Sequence, residues 1–545
     1  MGWGLSRQGT RLRLWSAITL AVVGGSAWTP TIATTSAEPG FQATSQIIDV
    51  PAGGNLQQAL NQVQPGGTVR LARGATYIGS FTLPAKNGTE YILITTANAS
   101  LPAPGVRINP SYKPQLATIR SATTSSALST APGASYYRIV GVAFEANQKG
   151  MGDIIALGRN NETTLAALPH HFELDRVIIT GDPSLGQKRG ISANAANVTI
   201  INSDIRDIKA AGQESQAIAA WNSPGPFIIR NNRLEAAGIN ILFGGANITI
   251  PGMIPSDIVV EDNLLTKDPS WQGTSWSVKN LFELKNARRV TVRRNIMQYN
   301  WDSAQPGFAV VFTPRNSSGL NPWVVITDVE FSSNVVAHSG SAFNLLGHDD
   351  TASTGQLARV VIKNNLVFDI TSEPWGGAGV FVQIGNEPRD VAIDHNTVLH
   401  DGNIVSFYGG TYINGAGAAV SGGSIAGFVF TNNLVRHNTY GMAGDGQSYG
   451  NGAIAYYAPG AVINRNVIAS DTQVVSRYPA DNFFPSLGDF TATFRNSAVE
   501  DYRLAATSPY LRAGLDGRDL GCDFGTLPTA KFPATPTLTL FKIVR

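Results

Sequence analysis

A short phrase returns eight times between residues 227 and 468: FIIRNNRL, IVVEDNLL, VTVRRNIM, VEFSSNVV, VVIKNNLV, VAIDHNTV, FVFTNNLV and AVINRNVI. Each copy is a short apolar strand, an Asn, and an apolar pair. The Asn residues are Asn232, Asn263, Asn295, Asn334, Asn365, Asn396, Asn433 and Asn466, at spacings of 31, 32, 39, 31, 31, 37 and 33. A recurring period of this size must be read before any local assignment. Each unit has room for two or three strands of four to six residues between Gly-, Asn- and Pro-containing turns, and none for a crossover helix. Such a unit cannot bury its own apolar face, but stacked on a copy of itself it can. Leucine-rich repeats fail for want of LxxLxLxxN and a helical segment, and propeller blades do not explain a single Asn column. The expected fold is all-β, a right-handed parallel β-helix. Equivalent Asn side chains then stand roughly 4.8 Å apart as an internal ladder, a place that suits a residue tolerant of unusual dihedrals and carrying both donor and acceptor.

The spelling weakens towards the N-terminus but persists. YRIVGVAF, FELDRVII and VTIINSDI put Val142, Val177 and Ser203 in the ladder position, at spacings of 35, 26 and 29 before Asn232. Eleven coils are thereby marked, about 48 Å of axis, with two or three more expected from the earlier strands. Asn55–Val63 reads as a helix, with Leu56, Ala59, Leu60 and Val63 on one face and Pro65-Gly66-Gly67 as its stop. It is placed to cover the open first coil. A second set of strands includes GISANAA, QAIAAWN, GINILFG, NLFELKN, FAVVFTP, AFNLLGH, GVFVQIG, IVSFYGG and GAIAYYA. Alternation predicts Ile239, Ile241, Phe243, Phe282 and Leu284 inward, and Asn240, Glu283, Lys285, Asn344 and Gln383 outward.

Residues 1–37 have the form of a secretory signal, with Arg7, Arg11 and Arg13 before the apolar stretch Leu14–Gly25 and small residues to Ala37. The apolar run is short for a membrane span, so a secreted or periplasmic chain with no transmembrane segment is expected after cleavage. Loss of three Arg leaves 37 basic against 38 acidic residues, close to neutrality, which argues against nucleic acid as a partner. The single Cys522 excludes an intramolecular disulfide. A solenoid core grows with length, so 46–525 reads as one domain, with irregular residues 475–525 as its cover and Pro-rich 526–545 as a tail ending in a strand-like LTLFKIVR. A monomer is expected.

The Asn ladder, the opening DVPAGGNLQQALNQVQPGGTVRLARGATYIG and the ending DYRLAATSPYLRAGLDGRDLG resemble exported bacterial right-handed parallel β-helix proteins of the pectate-lyase-like superfamily, over residues 46–525. That resemblance implies a polysaccharide in a groove along the coils and a lyase or glycoside hydrolase. Non-catalytic glycan-binding, adhesin or envelope proteins share the fold and form the alternative. A calcium ion is implied only if the reaction is a lyase. The family's clustered calcium-binding Asp with a catalytic Arg has no residue-by-residue match here, and neither do the Asp-Asp and Gly-His-Gly segments of polygalacturonase-like hydrolases.

Candidate chemistry is sought on the outward face of the second strands. Glu283 and Lys285 share one side of NLFELKN, Arg315 follows the next strand, and His348, Asp349 and Asp350 open the loop one coil later. A lyase needs a cation against the uronate carboxylate and a base for the C5 proton, which Arg315 and Lys285 supply. A hydrolase needs two carboxylates roughly 5–9 Å apart, for which Glu283 with Asp349 or Asp350 stands. Trp221, Trp276, Trp301 and Trp375 in loops, with Asn240, Asn344 and Gln383, are the expected sugar contacts, because flat amphipathic rings suit sugar C–H faces. Four residues beyond successive ladder positions stand His338, Asp369, His400 and His437, a column that is either a polar turn or a metal or catalytic site.

Overall fold

The computed structural model describes residues 46–528. The expected leader 1–37 and the strand-like tail end therefore lie outside the described residues. The chain forms a parallel β-helix of three long sheets, with 14 strands in sheet I, 13 in sheet II and 12 in sheet III. One coil illustrates all. Phe227–Arg230 lies in sheet I, Arg233–Ala236 in sheet II and Ile239–Phe243 in sheet III, and a loop of variable length returns to Ser256–Glu261 in sheet I. The apolar pair after each Asn is thus a strand of its own, and each coil has three strands.

The ladder is continuous. From Asn263 to Asn466 each Asn Oδ1 accepts from both the backbone N–H and the Nδ2 of the Asn one coil earlier, at 2.9–3.3 Å. Each Nδ2 also reaches a sheet I carbonyl of the earlier coil, as from Asn263 to Ile229 O at 2.8 Å. Ser203 extends the ladder backwards, receiving Val177 N–H at 3.1 Å and donating its own N–H to Asn232 Oδ1 at 2.9 Å. The register Ala143, Ile178, Asp204, Arg233 puts Val142 and Val177 in the same column. At the far end Asn482, from the irregular cover, adds a rung by accepting from Asn466. The conformational reason offered for Asn needs correction. The left-handed residue is the one before the ladder, as at Asn231, Asp262, Arg294, Ser333, Asn364, His395 and Asn432. The ladder Asn is selected for its amide alone, a donor and acceptor pair that matches a 4.8 Å repeat.

Inside the coil, stacked apolar side chains form one core from Val50 to Tyr478. The helix Leu56–Gln62, N-capped by Asn55 and burying Leu56, Ala59 and Leu60, packs against the first coil. GAIAYYA is not a strand. Its place in sheet III is taken by Met442–Gly444, and Asn451–Tyr457 forms a helix whose Ala453, Ile454 and Tyr457 join the core. With no further strand in sheet III to pair with, its backbone bonds are met internally. The alternation also slips where sheet II turns into sheet III. Ile239 packs outside against Ala219, Trp221 and Leu242, whereas Asn240 is fully buried and donates to Leu234 O and Thr266 O at 2.8 Å. Asn240 accepts in turn from Lys267, whose buried Nζ also donates to the carbonyls of Ala236, Gly238 and Asn280, each at 3.0 Å. A corner must satisfy carbonyls that no strand partner reaches, and these two side chains are spent on that.

Candidate functional site

From the corner onwards sheet III alternates regularly. Ala219, Leu242, Glu283, Val311, Asn344, Gln383 and Ser406 stand in one column across successive strands, and this column is the outer face. Most of its side chains are short, so the face is a shallow floor walled by loops. At its middle lies a cleft of about 330 Å³ lined by Glu283, Lys285, Arg315, Asn344 and Asp349, with Gln305 and Pro306 at one rim. Four charged residues from three consecutive coils, singled out by strand position alone, share this one concave surface.

Local chain features put them there. Lys285 directly follows Asn280–Leu284, and its aliphatic stem lies over Gly245, where a Cβ would meet its Cδ at 2.8 Å. Arg315 follows Phe308–Phe312, and its backbone N–H is held by Lys285 O at 3.0 Å. Asp349 opens the loop after Ser341–Leu346. Its carboxylate is almost fully buried and accepts four hydrogen bonds, from Arg315 Nη1 (2.8 Å), Asn316 N (2.8 Å), Thr351 N (3.0 Å) and Thr351 Oγ1 (2.8 Å). Burial opposes its charge, but these donors outweigh burial and hold the carboxyl below its ordinary pKa. Arg315 also pairs with the exposed Asp350. Asp349 is therefore an ionised brace for Arg315, not a protonated acid.

Lys285 lies 3.5 Å from Glu283 and 3.9 Å from Glu214. Burial works against its charge, yet the two carboxylates prevail and its pKa stands above the usual lysine value. Glu283 is buried with its Oε2 unpartnered, as is the Oδ1 of Asn344. Both are polar atoms on the lining of the cleft. Glu214 was missed from sequence. It comes from the loop after Asp204–Ile208, carries no strand signal, and also pairs with Lys279. Tyr408 was missed too, although the alternation that selected Gln383 selects it. Gly385 pairs with Tyr408 in register, and a Cβ at Gly385 would collide with the phenol ring. Burial pushes that phenol up to about 12, next to the charges of Arg315 and Asp350 and a hydrogen bond with Gln383.

The remaining candidates are distributed elsewhere. His348 is set back from the cleft, its ring stacked on Tyr412 at 4.4 Å and its pKa lowered by burial. Asn240, turned into the corner, cannot meet a sugar. Trp221 covers the outer face further down, with Arg189 5.0 Å above its ring. Trp276 is half-buried, and Trp301 and Trp375 are buried with Trp271 and Tyr299 in one aromatic cluster. In the histidine column, His338 Nδ1 meets Asp369 Oδ2 at 2.7 Å beneath Trp375, whose Nε1 donates to the same oxygen at 2.9 Å. His400 is enclosed and drops to about 4 through burial. This column is packing against the corner loops.

Calcium requires six to eight oxygen ligands. Among the described residues no three His, Cys, Asp or Glu are grouped to hold a metal ion, and Glu214, Glu283 and Asp349 are each countered by Lys or Arg. The cleft does not fit calcium, and the cations that line it are Lys285 and Arg315. A larger cavity of about 880 Å³ lies under the C-terminal segment. Its Arg293, Arg294, Lys363, Arg503 and Arg518 are paired with Glu261, Asp262, Glu330, Asp501 and Asp516.

No protein-family model matches the chain, and no curated protein matches it. Among solved structures, the PL6 family alginate lyase AlyGC superposes with a TM-score of 0.51 at 14% identity, over 89% of this chain and 58% of that one. This chain thus spans less than two thirds of that protein's length. The chain shares with that protein the right-handed parallel β-helix fold. The catalytic unit of a GH87 α-1,3-glucanase from Streptomyces thermodiastaticus strain HF3-3 gives a TM-score of 0.46 at 13% identity, over 79% of this chain and 70% of that one. PfbA, a surface adhesin of Streptococcus pneumoniae, gives 0.36 at 13%, over 72% and 81%. At such identities the likeness is one of fold, and a shared fold does not by itself assign a function.

Proposed function

We propose that the protein is a polysaccharide lyase that cleaves a uronic-acid-containing glycan lying across the outer face of sheet III. One observation carries the reading: Lys285 and Arg315, on adjacent coils, are both held charged by buried carboxylates on the lining of the same cleft. Arg315 faces the uronate carboxylate and so acidifies the C5 proton. Lys285, in its neutral form, takes that proton. The electron pair of the broken C5–H bond forms the C4–C5 double bond as the C4–O bond breaks, and the departing glycosidic oxygen takes up a proton from water. Because its carboxylate neighbours favour charged Lys285, the neutral base form grows with pH and the rate should climb on the alkaline side. The hydrolase reading is weaker, because the carboxyl best placed to partner Glu283 is the fully engaged Asp349.

The test is a panel of acidic and neutral polysaccharides, read both at 235 nm for unsaturated ends and by reducing-end assay. Lyase action gives both signals, and Lys285→Ala and Arg315→Ala should each lower kcat/KM at least a hundredfold. Reducing ends without 235-nm absorbance would establish a hydrolase instead. Silence in both channels with glycan binding retained would make the protein a binding module. Export is part of the proposal, through residues 1–37, and cell fractionation of the full chain tests it. Among the described residues no helix is long and apolar enough to cross a membrane.

A further inference from the structure

A second cavity, of about 400 Å³, is walled by Gln272, Trp301, Asp302, Ser372, Glu373 and Trp375. It adjoins the cleft through a single turn. Asp302 and Ser303 face this cavity while Gln305 and Pro306 line the cleft, and Asp302 and Pro306 are bridged as an antiparallel pair, so the wall is roughly 5 Å thick. The turn is fastened on both sides, by Asp302 N–H to Trp375 O at 2.9 Å and Ala304 N–H to Val278 O at 3.0 Å. The opposite wall is tied down by Gln272 Nε2 to Pro374 O at 2.8 Å. Beneath both lies the buried aromatic cluster of Trp271, Tyr299, Trp301 and Trp375. The cavity is therefore a firm depression and not the edge of a loose loop.

Its charge differs from that of the cleft. The cleft presents the cations Lys285 and Arg315 beside the carboxylates Glu283 and Asp349. Among the described residues the second cavity is lined by no Lys or Arg, and its ionisable groups, Asp302 and Glu373, are exposed carboxylates in no ion pair. A uronate there would meet two like charges, whereas an uncharged sugar would find hydroxyl, amide and carboxylate acceptors on an aromatic-backed floor.

We infer that the two cavities are neighbouring subsites for one glycan, a uronate in the cleft and an uncharged sugar beyond the turn. The substrate is thus a heteropolysaccharide in which uronate adjoins neutral sugar, not a homopolymer of uronic acid. This inference rests on the lyase reading of the cleft. The test compares kcat/KM at 235 nm on polygalacturonate and alginate with that on a galacturonate–rhamnose backbone and a glucuronate–N-acetylglucosamine polymer, for the full chain and for Asp302→Lys/Glu373→Lys. Both substituted positions are on the surface, so the fold is retained. The expected result is at least a tenfold preference of the native chain for a mixed polymer, and at least a tenfold swing towards a polyuronate in the double variant, with Lys285→Ala silent on all. Equal rates on both polymer types, or a double variant with unchanged preference, would overturn the inference and leave the lyase reading standing. Silence at 235 nm on every polymer would overturn the lyase reading itself. Saturation-transfer NMR with a neutral and a uronate disaccharide then judges the cavity alone, and preference for the uronate there would overturn the subsite as well.

Discussion

Replacing Asp349 by Asn separates a brace from a chemical acid. The side chain keeps its shape but turns one acceptor oxygen into a donor NH2. Of the four bonds now made to the carboxylate, at least one of those to Arg315 or the buried Asn316 N–H must fail, and the others lose their charge. Hydrogen bonds to a charged group contribute about 1.5–3 kcal/mol, and an orphaned buried N–H costs about 1–3 kcal/mol. Asp350 still holds Arg315, which limits the loss, so about 2–4 kcal/mol of local stability should disappear. A solenoid opens by parts, so the assay is amide hydrogen exchange at Asn316, which should accelerate roughly 30- to 1000-fold, at about 1.4 kcal/mol per factor of ten. The pH dependence has a definite sign. The folded carboxyl titrates below the ordinary aspartate value, so its contribution is complete above the unfolded pKa and is lost as pH falls through the folded one. Native protection at Asn316 should therefore decline below roughly pH 4, while the Asn variant shows no such decline. Activity should fall with the loosening of Arg315. If the variant instead keeps full protection at Asn316 and loses all activity, Asp349 is an acid in the reaction and the braced-arginine account is wrong.

Other outcomes follow from the same geometry. Glu283→Gln removes the carboxylate 3.5 Å from Lys285, so the rising limb of the pH–rate profile should move to lower pH. Abolished activity at every pH would make Glu283 a reacting group. Asn295→Ala strips buried partners from Asn263 N and Nδ2, Val260 O and Arg293 O, and should cost about 3–5 kcal/mol by denaturant titration; a loss under 1 kcal/mol would show that the ladder does not hold the coils together. Burial pushes the thiol of Cys522 up to about 12, and the residue's backbone N–H donates to Thr397 Oγ1, so the thiol should resist thiol reagents at pH 8 until the chain is unfolded. Rapid labelling of the native protein would contradict the packing of residues 520–527 on sheet II.

The repeat alone determined the fold class, the direction of stacking and the register, because a side chain that bonds to its own copy one coil away must recur at the period of the coil. It reached back to Ser203, Val177 and Val142, through strand alternation it led to Glu283 and Lys285, and through the ends of the next two strands to Arg315 and Asp349. Three things needed the tertiary structure. The corner between sheets II and III breaks the period of two, and so it alone decided that Asn240 is scaffold. Asn482 and Glu214 come from irregular segments, which have no period to betray them. The partition of charge was decided in space as well: every carboxylate of the site reads alike in a list of residues, and only the donors around Asp349 and the pair of acids around Lys285 give each group its task. The Asn ladder holds the stack. The proposed site stands on the outer face of sheet III, where no backbone repeat dictates the side chain.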